Sequence, residues 1–222
     1  RRKGFEGAIE VIPQLGVDET HFARRDEAAL RRELGLCETV IGFAGRLVPE
    51  KGILLLLEAL AGIEAGWSLL VVGGGPLLGE LRARLERPPF AGRAAIVPTV
   101  PHDQVPRYLN CMDILVLPSV AARHWKEQFG HVLVEAMACE VPVVGSTCGA
   151  IPEVIGEAGV VFPEGDVGAL RSALERLLAS PEERERLGRL GRQRVLERFT
   201  NRTIASRTHA LWQRVLGGEV DG

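Results

Sequence analysis

Residues 40–61 read VIGFAGRLVPEKGILLLLEALA: an apolar run, a short loop holding glycines and two cations, then a helical pattern. Residues 40–44 carry no polar side chain, which suits a strand covered on both faces rather than one with a wet side. The residues from Gly52 to Ala61 have the length and spacing of a helix. The same alternation repeats along the chain. Strand candidates are residues 9–12, 40–44, 68–72, 94–97, 114–117, 141–145 and 160–162, with helical patterns over 27–34, 52–61, 76–86, 102–110, 129–139 and 167–179. Strands alternating with helices predict an α/β fold, a doubly wound parallel sheet. After about residue 165 the strands stop, and helices are expected over 167–179, 181–199 and 201–216. Ser180-Pro181 supplies an N-cap and a proline at the first helical position, with Glu182 and Glu183 suiting the helix dipole.

The chain has 222 residues, 46% of them hydrophobic, enough to bury a sizeable core as one large domain with or without appendages. A net charge of −2 excludes a global nucleic-acid-binding charge. Residues 171–214 nevertheless hold eleven arginines against five acids. That stretch reads first as a solvated helical surface, with docking to another domain or to an anionic membrane surface as the alternatives. The longest apolar patch, residues 53–57, falls far short of the roughly 18 residues a membrane span needs. Arg1-Arg2-Lys3 is followed by no apolar h-region, so the start does not read as a signal peptide; it reads as the entry to the second half of a longer protein. Cys37, Cys111, Cys139 and Cys148 lack CxxC and zinc-finger spacing. Buried reduced thiols, and hence the cytoplasm, are expected.

In an open parallel sheet, ligands bind outside the carboxyl ends of the strands. Four polar, glycine-bearing loops follow strand candidates there: 45–52, 73–76, 120–130 and 146–149. In the first, Arg46 and Lys51 flank the turn into a helix, a setting suited to a diphosphate. The lysine is informative because the chain otherwise uses lysine only at Lys3 and Lys126 and favours arginine throughout. Gly73-Gly74-Gly75 permits close backbone approach but is not a dinucleotide fingerprint: the sixth position is Leu78, and Gly79 comes one step late. No GK[ST] ending follows, which excludes a P-loop.

The third loop leads into Glu127-Gln128-Phe129-Gly130-His131-Val132-Leu133-Val134-Glu135. Eight positions is not a helix-face spacing, so the two glutamates do not share one stripe. Glu127 ends the loop, Phe129 and Gly130 begin a helix whose free amides suit a phosphate or sugar hydroxyl, and Glu135 lies inside it. The carboxylates read either as hydroxyl-gripping groups or as the acid/base pair of a glycoside hydrolase. Arg46 and Lys51 favour a charged leaving group and therefore transfer. A purely structural role, with Glu127 as a helix-start charge and Glu135 paired to an arginine, is the remaining reading. His131 at the helix start is expected to be neutral and at the pocket edge. His21, His102, His124 and His209 are dispersed without metal-ligand spacing, so no metal is expected.

Taken together, Gly45-Arg46, Lys51-Gly52, Gly73 to Gly75, Pro118-Ser119, Glu127, Phe129-Gly130, Glu135-Ala136-Met137-Ala138, Pro142-Val143-Val144 and Pro152-Glu153 resemble the retaining group 1 glycosyltransferases of family 4. The resemblance implies the C-terminal half of a GT-B protein, a six-stranded Rossmann-like sheet followed by C-terminal helices. Residues 1–18 would be the end of an N-terminal domain and linker, 19–199 the nucleotide-sugar donor domain, and 200–222 a helix crossing back onto the other half. Arg46, Lys51 and Glu127 would serve catalysis. Gly45, Arg46, Lys51, Gly73, Gly74, Val100, Glu127, Gln128, Phe129, Gly130, His131, Val132 and Glu135 would hold the donor, with the diphosphate on Arg46 and Lys51 and the ribose on Glu135. Base selection is expected around residues 99–102. The implied activity moves a sugar from UDP or another nucleoside diphosphate such as GDP to an acceptor hydroxyl, with no metal and no cofactor. The implied acceptor is a sugar, glycan or lipid-linked hydroxyl of unspecified identity. Two rivals stand beside it: a noncatalytic nucleoside-diphosphate-binding module awaiting a partner domain, and an NAD-dependent enzyme, which lacks its fingerprint. One departure concerns Glu140, where the family commonly has glycine; a left-handed residue there would cost about 1 kcal/mol.

Overall fold

The computed structural model of the chain describes residues 9–64 and 66–216. Its elements run α1 (Ala28–Glu33), β1 (Thr39–Ala44), α2 (Ile53–Ala61), β2 (Trp67–Val72), α3 (Leu78–Leu85), β3 (Ala94–Val97), α4 (Val105–Leu109), β4 (Ile114–Leu117), α5 (His131–Ala138), β5 (Val143–Ser146), α6 (Ile151–Ile155), β6 (Gly159–Phe162), α7 (Val167–Ala179), α8 (Pro181–Arg198) and α9 (Asn201–Leu216). The strands form one parallel sheet in the order β3-β2-β1-β4-β5-β6.

The apolar runs follow from burial on both faces, because side chains alternate sides along a strand. Val40, Leu70, Val72, Leu115, Leu117 and Val143 join one core with Leu109 of α4, Leu133 and Met137 of α5 and Ile151 of α6. Their neighbours Ile41, Phe43, Leu69, Val71, Ile114, Val116 and Val144 join the other, against α2, α3 and α7. Helix α8 reaches both, with Leu187 in one core and Val195 in the other. Ser180 accepts from the Glu183 amide at 3.1 Å, the N-cap that Ser180-Pro181 predicts.

Three elements differ from the sequence expectations. Residues 9–12 form no strand: Ile9 and Val11 are 58% and 85% exposed, and Glu10 instead holds Arg207 and Arg214 at 3.0 and 2.7 Å. Helix α6 has no counterpart among the expected helices, because five residues with Pro152 in the first turn carry too little periodicity to register. Helix α5 begins at His131, not at Phe129, since Gly130 caps it in the left-handed region at φ 77°. Cys111, Cys139 and Cys148 are buried as expected, whereas Cys37 is exposed. Residues 1–8 and 217–222, which carry part of the expected linker and terminal helix, lie outside the described residues.

Glu140 is left-handed, at φ 59°. The Val141 amide donates to the Ala136 carbonyl at 2.9 Å and the Glu140 amide to Met137 at 3.0 Å. This pair of bonds is a Schellman cap, whose left-handed position favours glycine. Beyond α8, the segment entering the fold meets the one leaving it: the Val17 amide donates to Phe199 and the Asn201 amide to Val17, at 2.9 and 3.1 Å.

Candidate functional site

Strand order reverses between β1 and β4, and the loops leaving those two strands touch at the carboxyl edge of the sheet. The Val120 amide donates to the Glu50 carbonyl at 2.9 Å. A side chain on Gly52 would run into the Pro118 carbonyl, and the residue is left-handed at φ 72°, so only glycine lets the loops pass this closely. Lys51 is thereby carried against the β4 loop. Its Nζ lies 2.6 Å from Glu127 Oε2 and 5.3 Å from the centroid of the Trp125 ring.

Glu127 is held from several sides. Ser119 Oγ donates to Oε2 at 3.0 Å, and Ser146 in turn donates to the Ser119 carbonyl. The Glu127 carbonyl accepts from the Ala150 amide at 3.0 Å, and Gly149, at φ 61°, has no room for a side chain against that oxygen. Loops after β1, β4 and β5 therefore fix one carboxylate. The Lys51 and Glu127 side chains are 17% and 9% exposed, so the pair is largely withdrawn from water.

Beside it lies an open cleft of about 280 Å³ lined by Gly45, Arg46, Gly73, Gly74, Val100, Val132 and Glu135, with Thr99 and Val105. Its floor is a backbone zipper: Gly45 donates to Val72, Leu47 to Gly74 and Gly73 to Val97, at 2.9–3.0 Å. Arg46 is exposed and makes no ion pair among the described residues. Helix α5 opens at the cleft with no capping side chain, so its first amides remain available to a ligand.

Glu135 is buried, and its Oε1 lies 2.8 Å from His102 Nε2 and 3.1 Å from His131 Nδ1. Burial alone would raise the Glu135 carboxyl, but hydrogen bonds and charge from His131, then His102, outweigh it and hold it below its usual range. His131 is pushed up, chiefly by its bond to Glu135, with burial opposing. The geometry gives the same answer: Nδ1 faces the carboxylate and Nε2 faces the Gly16 carbonyl at 3.1 Å, so both nitrogens act as donors. His131 thus bridges Glu135 to the entering segment, and its surroundings favour the charged form that the helix start alone would disfavour. Glu135 Oε2 has no hydrogen-bond partner among the described residues.

The residues expected at the site thus fall into three groups. Gly45, Arg46, Gly73, Gly74, Val100, Val132 and Glu135 share the cleft; Lys51 and Glu127 form the adjoining pair. Gln128, Phe129 and His131 line a separate groove of about 580 Å³ against residues 11–15 and the end of α8. The Phe129 ring packs edge-on against Phe199 at 5.7 Å and anchors α8; Gly130 contributes conformation. His102, Ser119, Trp125 and Gly149 lie in segments expected near the site, but their contacts with these groups carry no local sequence signal. The His131–Glu135 contact had a signal, the i,i+4 spacing. His102, 33 positions from Glu135, had none. The buried thiols add no nucleophile: burial pushes Cys111 up to about 11 and Cys139 up to about 12, and raises Cys148 as well.

Strand order and a crevice at the switch point define a doubly wound, Rossmann-like domain. Residues 38–180 match the family described as Glycosyl transferases group 1, and the chain belongs to that family. It is 36% identical to a D-inositol 3-phosphate glycosyltransferase of Segniliparus rotundus, over 82% of this chain and 42% of that one. It is 32% identical to a GDP-mannose-dependent alpha-(1-6)-phosphatidylinositol monomannoside mannosyltransferase of Mycolicibacterium smegmatis, over 92% and 56%. Among solved structures, sucrose-phosphate synthase from Thermosynechococcus elongatus superimposes with a TM-score of 0.79 at 29% identity, over 94% of this chain and 53% of that one. The chain spans about half the length of the curated relatives it matches.

Proposed function

We propose that this chain is the donor-binding half of a retaining glycosyltransferase of family 4, which transfers a sugar from a nucleoside diphosphate to an acceptor hydroxyl without a metal. The observation that carries this reading is the convergence at the β1/β4 switch point. An unpaired Arg46, an uncapped helix start, a free Glu135 oxygen and the buried Lys51–Glu127 pair all meet beside one cleft. The GDP-mannose dependence named for the mycobacterial relative supports a nucleoside-diphosphate sugar as donor.

Each group then has a task set by its chemistry. Glu135 Oε2 accepts from a ribose hydroxyl while the base rests against Val100, Val105 and Val132. Arg46, Lys51 and the first amides of α5 face the diphosphate and stabilise the negative charge that grows on it as the sugar leaves. That is the role a divalent ion fills elsewhere. Glu127, fixed by Lys51 and Ser119, accepts from sugar hydroxyls, and the acceptor proton passes to a phosphate oxygen of the leaving group. The acceptor and the remainder of the catalytic cleft belong to a preceding half. Residues 1–18 enter from that half, 19–199 form the donor domain and 200–222 return to it, a division supported by the pairing of Val17 with the α8–α9 junction. No helix among the described residues is long and apolar enough to cross a membrane. The buried, unpaired Cys111, Cys139 and Cys148 support a cytoplasmic setting.

In the protein carrying both halves, Arg46→Ala and Lys51→Ala should each lower turnover at least about tenfold, mainly through kcat. Unchanged steady-state rates in the double variant would end the assignment. The second reading, a module that binds nucleoside diphosphate and performs no chemistry alone, is favoured for the isolated chain because it spans only half of its relatives. Binding without donor hydrolysis is the outcome expected of it.

A further inference from the structure

We propose that His102, His131 and Glu135 form a transition-metal site, for zinc in the first instance, that meets the nucleotide cleft at Glu135, and that metal and nucleotide exclude one another. His102 Nε2, His131 Nδ1 and Glu135 Oε1 all lie within 4.8 Å of one another. Zinc holds imidazole nitrogen and carboxylate oxygen at about 2.0–2.2 Å, which places neighbouring tetrahedral ligand atoms about 3.3–3.6 Å apart. Small side-chain movements therefore convert this cluster into three legs of a tetrahedron.

The supporting geometry is that of a metal site. His131 and Glu135 are one turn apart on α5, which fixes two ligands on a rigid element. The outer nitrogen of His131, Nε2, donates to the Gly16 carbonyl at 3.1 Å. A ligating histidine characteristically directs its second N–H to such an acceptor, which orients the ring and leaves the inner nitrogen for the metal. An incoming ion would replace the proton now held between Nδ1 and Glu135. The third ligand, His102, comes from the short turn His102–Gln104 after β3; its ring sits 5.3 Å from Phe22 and its side chain is 68% exposed, so it has freedom to close. Two imidazoles and one carboxylate suit zinc, cobalt or nickel and poorly suit magnesium or calcium. Three protein ligands leave the fourth position open to solvent.

The exclusion rests on the reading of Glu135 as the ribose-binding carboxylate: a carboxylate committed to a dication loses the acceptor that the ribose requires. The protein is first stripped with EDTA. Zinc is then titrated by calorimetry and cobalt by visible absorption, in the starting protein and in His102→Ala and Glu135→Gln, with His209→Ala as a control and circular dichroism to verify folding. One ion per chain is expected, with a cobalt ligand-field band, affinity lowered at least about tenfold in both site variants and unchanged in the control. Magnesium should give no heat. No zinc binding, or zinc binding indifferent to His102→Ala, would overturn the site. Nucleotide binding is measured with UDP, GDP and ADP, without zinc and with zinc at saturation. A tenfold or greater weakening by zinc is expected, and no weakening would overturn the exclusion. The metal-free titration tests the donor-binding reading separately, because its failure would appear before any zinc is added.

Discussion

Lys51→Ala tests whether the pair at the switch point is as desolvated as its geometry requires. Glu127, 9% exposed beside Lys51, would be left with only the Ser119 hydroxyl on its Oε2. Removing one member of a buried ion pair costs about 3–5 kcal/mol, and the retained hydroxyl and neighbouring cleft place this case near the lower figure. For a chain of this length about 3 kcal/mol corresponds to a fall in Tm of about 6–12 °C. Replacing both charges by neutral groups of similar shape, Lys51→Met with Glu127→Gln, removes the uncompensated carboxylate and should return stability to within about 1 kcal/mol of the starting protein. The starting protein, Lys51→Met, Glu127→Gln and the double variant form a double-mutant cycle, read by thermal melts and denaturant titration, with an expected coupling energy of at least about 2 kcal/mol. The double variant should nevertheless bind nucleoside diphosphate at least about tenfold more weakly, since the diphosphate loses a cation. A Lys51→Ala melt within about 1 °C of the starting protein, or a double variant no more stable than the single, would refute the argument.

Other outcomes follow from particular backbone and side-chain positions. Glu140→Gly relieves a left-handed residue in a Schellman cap and removes an anion from the carboxyl end of α5, so stability should rise by about 1 kcal/mol and Tm by about 2–4 °C; an unchanged or lower Tm contradicts it. His131, raised above its ordinary value of 6.5 by Glu135, contributes stability that is complete below that value and lost as pH climbs through the raised one. Glu135, lowered from 4.5, loses its share as pH falls through its lowered value. With EDTA present, Tm from pH 6 to 9 should therefore fall more steeply in the starting protein than in His131→Leu, and parallel curves would remove the charged bridge. Gly149→Ala places a side chain against the Glu127 carbonyl in a left-handed residue. It should cost at least about 1 kcal/mol and weaken nucleotide binding, measured by melts and calorimetry.

The sheet was legible because its strands are buried on both faces, which leaves runs such as residues 40–44 and 114–117 without a polar side chain. At residues 9–12 the apolar positions are interrupted by Glu10 and join no sheet: Ile9 and Val11 lie exposed and Glu10 pairs with Arg207 and Arg214. The Schellman position at Glu140 was legible as a departure from glycine, because the conformational demand sits on one residue. The site was legible one loop at a time: each loop follows a strand, and Arg46, Lys51, Glu127 and Glu135 stand out by residue type. How those groups pair was not. Lys51 meets Glu127 across 76 positions and Glu135 meets His102 across 33, contacts created by strand order rather than by any local spacing. The two glutamates, eight apart in sequence, consequently serve different neighbourhoods: one is clamped by three loops, and the other lines the cleft and is held by two histidines.

The account stands on the cleft at the β1/β4 switch point being a nucleoside-diphosphate site, and calorimetric titration of UDP, GDP and ADP into the metal-free chain tests that most directly. Saturable binding of at least one of them at one site per chain is predicted, weakened at least about tenfold by Arg46→Ala and by Glu135→Gln. Absence of binding by all three, or equal affinity in both variants, would contradict it.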